Sequence, residues 1–281
     1  MDESIKVREF SLGDIKDALR LTRAEGWTSG IKEYYHTLSV NPDGCFALAK
    51  ENQFIGGITT YIYTQSAWVG NFIVSPEYRN QGFGGQLLGQ ALKYLHERDL
   101  ATIYLTAAPK AVNLYKRHGF QEVCIINRWR KDIQPGDSQL DGLAAKKSTL
   151  ERIVDFDQHC WNEDRSLLIS SLWSRRSSLE HKKPYGFLMY SKVNKYKVIG
   201  PWEVAGNDIM VAEKLLNGVY ASAKKKEAVL LDVPILNRAA SSLLFHHGFN
   251  IAGSSTFMFY GKRSVINFED IFSLGSLGSI G

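Results

Sequence analysis

The sequence predicts an α/β protein built from two similar mixed-sheet halves. Strand-like and helix-like periods alternate through both halves. Each half also closes on a strand, a helix and a Gly-Phe step into another strand. The phrase "VNLYKRHGF" at residues 112–120 returns as "SSLLFHHGF" at 241–249. At 281 residues the chain is long for one compact unit and comfortable for two, and 44% hydrophobic content supplies a core to each.

The first half opens with a short strand, "SIKVREF". A helix follows in which Ile15, Ala18, Leu19 and Thr22 share one face. "CFALAK", "FIGGITTYIY" and "SAWVGNFIVSP" then read as three strands, the first two joined by the turn-like "ENQ". "GFGGQLLGQALKYLHERDL" is amphipathic, with Leu87, Leu88, Ala91, Leu92 and Leu95 at helical spacing. The strand "ATIYLTA", a helix through "AVNLYKRHG" and the strand "FQEVCIINRWR" close this half.

Composition turns polar around "IQPGDSQLDG", the best linker candidate. Two helices, "STLERIVDFDQHC" and "DRSLLISSLWSRR", are predicted next. "YGFLMYSKV" and "KYKVIGP" form a hairpin pair, "GNDIMVAEKLLNGVYASAKKK" a helix, "EAVLLDVP" a strand and "ILNRAASSLLFHHG" a helix. "FNIAGSSTFMFYGKR" supplies the last strand or two, and the Gly/Ser-rich "FSLGSLGSIG" reads as loose chain. Gly119-Phe120 and Gly248-Phe249 register the halves at an offset of 248 − 119 = 129. At that offset Ala111 meets Ala240, Leu114 meets Leu243, Ala108 meets Asn237 and Tyr115 meets Leu244.

A net charge of +5 suits an anionic small ligand and is too weak to argue for nucleic acid. Cys45, Cys124 and Cys160 lie far apart with no CxxC spacing, so neither a disulfide framework nor a zinc site is expected, and a reducing compartment fits. The charged start "MDESIKVREF" is no signal peptide, and no apolar run approaches membrane-spanning length. His246-His247, being adjacent, point to different helix faces and make a poor metal pair.

The strongest chemical signal is "VSPEYRNQGFGG" at residues 74–85. Pro76 ends a strand, and a loop with Gly82 and Gly84 flows into the long helix. Unpaired N–H groups of a first helical turn, together with the helix dipole, form an anion seat, and Arg79 adds fixed charge at its edge. A Walker A loop would need Gly-Lys-Ser/Thr, and a dinucleotide fingerprint a third glycine where Leu87 stands.

Arg79-Asn80-Gln81-Gly82-Phe83-Gly84 matches the R/Q-x-x-G-x-G/A signature of the GNAT superfamily of N-acetyltransferases, and "VSPEYR" and "LYKRHGF" flank it in that family's order. The resemblance covers the chain from Ile5 to about Arg130. The second half is similar to the degenerate C-terminal domain of tandem members, on "IGPWEVAGND", "DVPILNRAASSLLFHHGF" and "MFYGKR"; "EGWTSG" and "DFDQHCWNEDRSLL" are typical of the same group. The expected fold is therefore two GNAT-like mixed-sheet domains in tandem, the second smaller and without the pyrophosphate loop. The offset places "DIMVAE", with no Gly-x-Gly, where that loop would fall. The expected layout is a catalytic domain at 1–130, linker and connecting helices at 131–184, a degenerate domain at 185–265 and a flexible tail at 266–281.

The resemblance implies that acetyl-CoA is co-substrate, with its pyrophosphate on Arg79, Asn80, Gln81, Gly82, Phe83 and Gly84. Backbone N–H groups at Phe72, Ile73 and Val74 would hold the acetyl oxygen and the pantetheine arm. Tyr115 stands where the family has the proton donor to the departing thiolate, though the same residue suits an amphipathic core position. The family's Asn seven residues earlier is here Ala108. No base is evident: the central strand offers only Asn71, and Glu25, His36 and Asp157 are weak candidates. Glu25, Trp27, Asp157, Arg165 and Trp202 are candidate acceptor contacts, with Asp164 beside them; Asp157 and Arg165 equally suit a salt bridge or a helix cap. The expected acceptor is a small, amino-acid-like amine. A protein or peptide acceptor and a non-catalytic acetyl-CoA sensor are the alternatives. No metal, nucleic acid or membrane partner is expected; a cytoplasmic monomer or homodimer is.

Overall fold

The computed structural model describes residues 4–138, 149–276, 278, 279 and 281. Much of the stretch read as a linker lies outside them. The chain divides into two compact units. The first comprises Met1–Gln121, Met258–Arg263 and Gly278–Gly281; the second comprises Glu122–Phe257 and Ser264–Leu277.

In the first unit, β1 (Ile5–Glu9), β2 (Phe46–Lys50), β3 (Gln53–Ile62) and β4 (Ser66–Val74) pair antiparallel in that order. β5 (Thr102–Ala107) joins β4 in parallel. Helix α3 (Phe83–His96) presents Leu87, Leu88, Ala91 and Leu95 to the sheet, as its periodicity predicts, and all four are fully buried. α1 (Ile15–Ala24) and α2 (Ile31–Val40) pack around Phe10, Tyr34 and Phe54 in a separate apolar cluster. α4 (Val112–Arg117) lays Tyr115 into the α3 core.

One feature of this sheet is a short pairing between β4 and β5. The parallel register of β4 and β5 covers only Ser66↔Thr102, Ala67↔Ile103 and Trp68↔Tyr104. Beyond Trp68 the two strands continue without a shared ladder. Opposite this point β4 carries a register shift against β3, and Asn71 takes φ 48°.

The second unit contains β6 (Gln121–Ile133) from Glu122 on, α5 (Leu150–Trp161), α6 (Ser166–Arg175), β7 (Ser177–Lys182), β8 (Tyr185–Val193), β9 (Tyr196–Val204), α7 (Ile209–Ala221), β10 (Glu227–Pro234), α8 (Arg238–His246), β11 (Asn250–Gly261) up to Phe257, and β12 (Ile271–Ser273). Here β7-β8-β9 are antiparallel, and β10 joins β9 in parallel over three positions, Ala228↔Tyr196 to Leu230↔Val198. This repeats the β4–β5 arrangement of the first unit. The helix-to-strand phrase repeats in detail too. Phe120 N–H donates to the Tyr115 carbonyl (3.1 Å) and Phe249 N–H to the Leu244 carbonyl (3.0 Å), with Gly119 and Gly248 at φ 88° and 74°.

Three readings are corrected. The strand "FQEVCIINRWR" does not close the first unit's sheet: β6 pairs antiparallel with β10 in the second, where in-register Arg128 and Asp232 make a bidentate ion pair (2.8 Å, both bonds). The last residues of β11 stand beside β5 instead, with Lys262 N–H on the Ala101 carbonyl. Both strands follow the same Gly-Phe step, so strand pattern alone cannot assign partners. β7, within the stretch read as linker and helices, lacks apolar alternation because it is an edge.

The third correction concerns "FSLGSLGSIG", which begins as buried strand. Phe272, Ser273 and Leu274 are almost fully covered. β12 lies where β9 and β10 part: it pairs with β9, Ser273 Oγ accepts from Asp232 N–H (3.2 Å) and donates to the Ile199 carbonyl (3.2 Å), and Leu274 N–H donates to the Asp232 carbonyl. Asn237 Nδ2 donates to the carbonyls of Glu269 (2.7 Å) and Ile271 (3.1 Å). The second unit's slot is thus filled by its own chain.

Candidate active site

The loop 79–84 opens helix α3 without a side-chain cap. Gly82, the N-cap, takes φ 88°, and a Cβ there would meet nothing within 4 Å. Among the described residues no carbonyl or side chain accepts from the amides of residues 80–84. These donors therefore face outward with the positive end of a 14-residue helix behind them. The corresponding helix start in the second unit is closed: Asp208 accepts from Val211 N–H (3.0 Å). One helix leaves its first amides uncapped, and the other spends one on its own cap.

Arg79 is fixed from two sides. Its Nε donates to the Val74 carbonyl (2.8 Å), and its Nη2 lies 2.7 Å from Glu25 Oε1. Glu25 Oε2 holds Lys110 Nζ at 2.7 Å. The hydrogen bond from Lys110, then that from Arg79, holds the Glu25 carboxyl below the usual range. A carboxylate so paired is a poor proton acceptor; Glu25 organises cations beside the loop. Lys110 escaped the sequence reading because it lies 85 residues from its partner.

Phe72 joins the loop to α4. A Cβ at Gly84 would stand 3.5 Å from Phe72 Cζ, and the Phe72 ring meets that of Tyr115 edge-on at 5.9 Å. Tyr115 also packs edge-on against Phe120 at 5.7 Å. It is buried, and desolvation pushes its phenol well above the ordinary value, so it stays protonated as a donor must. Ile73 is buried beside the α1–α2 cluster, and Phe83 is buried in the α3 core.

Of the remaining candidates, Trp27 is half-buried against the α1–α2 cluster, and His36 Nε2 lies 3.0 Å from the buried Tyr61 hydroxyl. Asn41, Thr60 and Tyr94 form a separate buried hydrogen-bonded group. Asn71 is buried; its Nδ2 donates to Thr59 Oγ1 (3.1 Å), and its Oδ1 accepts from Ser29 (3.3 Å).

Asp157, Arg165 and Trp202 belong to the second unit. Arg165 makes a bidentate pair with Asp157 (2.6 and 3.1 Å), each side chain 1% exposed, and its guanidinium lies 3.6 Å from the Trp161 ring centroid. Trp202 instead faces the α7–α8 core and packs on Phe272. Glu203, next in the strand, is fully buried and passed unnoticed in the sequence. Its carboxylate lies beside Asp157 and Cys160 of α5. Burial and the charge of Asp157 push it well above the usual carboxylate range. Asp164 caps the start of α6 through Ser166 N–H (2.8 Å).

All three cysteines are buried, and burial pushes Cys45 up to about 12. No group of three or more metal-ligating side chains occurs among the described residues, nor any helix long and apolar enough to cross a membrane.

Comparison with known proteins agrees with the geometry. The model of the acetyltransferase (GNAT) family matches residues 13–120, and that of an acetyltransferase (GNAT) domain matches residues 153–273. This chain is a tandem GNAT N-acetyltransferase. The crystal structure of a putative acetyltransferase from Pyrococcus horikoshii superposes with a TM-score of 0.85 at 19% identity, covering 100% of this acetyltransferase and 97% of the other chain. The holothin acyltransferase of Pseudoalteromonas sp. is 20% identical over 90% of this chain and 87% of its own length. A putative [ribosomal protein bS18]-alanine N-acetyltransferase of Bacillus subtilis is 27% identical over 43% of this chain and 83% of its own. The tandem GNAT enzyme is an acyltransferase, and its superfamily takes acetyl-CoA as donor.

Proposed function

We propose that the first unit transfers an acetyl group from acetyl-CoA to the amine of a small, amino-acid-like molecule. The single observation carrying donor binding is the row of outward amides at residues 80–84, with Arg79 at its edge. These would hold the diphosphate, and the open side of β4 along Phe72, Ile73 and Val74 would hold the pantetheine arm. Acetyl-CoA supplies the acyl group as a thioester. Tyr115, kept protonated by burial, delivers a proton to the departing sulfur. The cysteine thiols are buried, which favours direct attack by the amine over an acyl-enzyme.

A small acceptor is supported by the extent of likeness. The relative named for holothin aligns along nearly the whole tandem chain, whereas that named for a ribosomal protein aligns with 43% of it. The test is thiol release from acetyl-CoA across a panel of small amines and alanine-terminated peptides. Turnover with small amines is expected. Turnover with peptides alone overturns the acceptor class, and tight acetyl-CoA binding without turnover on any acceptor overturns the enzyme reading in favour of a sensor.

A further inference from the structure

The slot of the first unit also contains a piece of the protein's own chain. Beyond the point where β4 leaves β5, the Asn71 amide is turned out of the β3–β4 ladder by the register shift and a positive φ. It donates to the carbonyl of Gly278 at 2.7 Å. Ser279 is 1% exposed, and its carbonyl oxygen lies so near Gly70 that a Cβ there would stand 2.2 Å from it. A Cβ on Gly281 would come within 2.8 Å of the Trp68 ring and 3.0 Å of the Tyr63 hydroxyl. The segment is therefore packed by main chain against main chain, which the glycines of both partners allow.

The second unit shows what this contact amounts to. There β12 fills the gap between β9 and β10, and the amide of Val204 is taken by the Asp270 carbonyl. Gly200 stands to Leu274 as Gly70 stands to Ser279: a Cβ on Gly200 would lie 1.9 Å from the Leu274 oxygen. Both units thus turn a glycine of the parting strand toward a carbonyl of the C-terminal segment. In the second unit a buried strand with side-chain anchors at Ser273 and Asn237 makes the closure permanent. In the first, the Gly278 carbonyl on the Asn71 amide makes the corresponding contact.

We propose that the segment carrying Gly278, Ser279 and Gly281 is a built-in competitor for the acyl end of the first unit's slot. The inference rests on the acetyl-CoA reading above. One preorganised amide, that of Asn71, is offered to a carbonyl oxygen, and the peptide carbonyl of Gly278 and the thioester carbonyl present the same acceptor. Donor binding then requires the segment to leave, and apparent affinity is lowered by the fraction of molecules with the segment docked.

Full-length protein carrying Ser279→Trp and Gly281→Val tests this, since neither side chain fits against β4. Acetyl-CoA affinity by calorimetry is expected to tighten about tenfold if the docked form dominates tenfold. In the unmodified protein, hydrogen exchange in a peptide spanning residues 275–281 is expected to accelerate on saturation with acetyl-CoA, while residues 69–75 stay protected. In the variant without donor, residues 69–75 lose protection. Unchanged affinity, or a segment equally protected with acetyl-CoA bound, overturns the competition and leaves the acetylation reading standing. Failure of acetyl-CoA to bind either protein overturns both.

Discussion

Arg79 and Glu25, 54 residues apart, meet at 2.7 Å beside the amides that open α3. Glu25 also holds Lys110, so one carboxylate keeps two cations at the mouth of the anion seat. Neither cation is neutralised beyond use: one acidic group balances two basic ones, leaving net positive charge for a diphosphate. Arg79→Gln is therefore expected to weaken acetyl-CoA binding by about 10–100-fold with kcat little changed, since it removes a charge-assisted contact far from the reacting atoms. Calorimetric Kd and steady-state kinetics check it.

Gly82→Ala isolates the backbone term. Its Cβ would meet no atom, so the cost is that of φ 88° alone, about 1–2 kcal/mol of stability. Denaturant unfolding reads this directly. Acetyl-CoA affinity is expected to fall as well, because relaxing that angle turns the neighbouring amides away from a common point.

Tyr115→Phe keeps the edge-on packing with Phe72 and Phe120 and removes only the hydroxyl. It is expected to lower kcat by about 10²-fold while acetyl-CoA binding and unfolding free energy change little. The raised phenol sets the pH dependence. Its protonated form persists in the folded protein above pH 10, so no alkaline fall in kcat below that pH belongs to Tyr115. In stability the same shift favours the fold below the unfolded phenol's pKa of about 10, and the benefit is lost as pH rises past it.

The second unit is expected to be sensitive to pH through Glu203. Its folded pKa lies above the unfolded value of about 4.3, so its contribution is intact below that pH and lost as pH rises toward the folded pKa. The loss is about 1.4 kcal/mol per pH unit within that window. Glu203→Gln should flatten the decline that sets in above the unfolded value of about 4.3, as measured by urea unfolding at several pH values; an identical profile in the variant would show that Glu203 is charged in the fold.

Asp157→Asn leaves the Arg165 guanidinium buried without its bidentate partner. A loss of about 3–5 kcal/mol is expected, read by the unfolding midpoint, with acetyl-CoA affinity retained if the second unit's pair is structural. A rise in acceptor KM alone, at unchanged stability, would instead make it a substrate contact.

The uncapped start of α3 could be read from sequence because its geometry is local. Six consecutive residues carry the turn, the glycine with positive φ and the start of α3, and no distant partner is needed to expose their amides. The helical periods of α3 and α7 and the repeated α4 and α8 phrases were legible for the same reason. Glu203 was not: a glutamate within a strand reads as a solvent-facing position until Asp157 and Cys160 of α5 are seen beside it. Lys110 escaped because its partner Glu25 lies 85 residues away, and the bond of the Asn71 amide to Gly278 escaped for the same reason.

The sequence by itself determined two acetyltransferase-like halves, one with an uncapped, glycine-rich helix start and a tyrosine after it, the other with neither. Tertiary structure alone decided which strand closes which sheet, that β12 fills the second slot, and that Gly278 takes the Asn71 amide in the first. Those outcomes depend on which backbone donor finds which carbonyl across large sequence separations. Every peptide offers the same donor and acceptor, so the choice is made by packing and register and leaves no signature in local residue type.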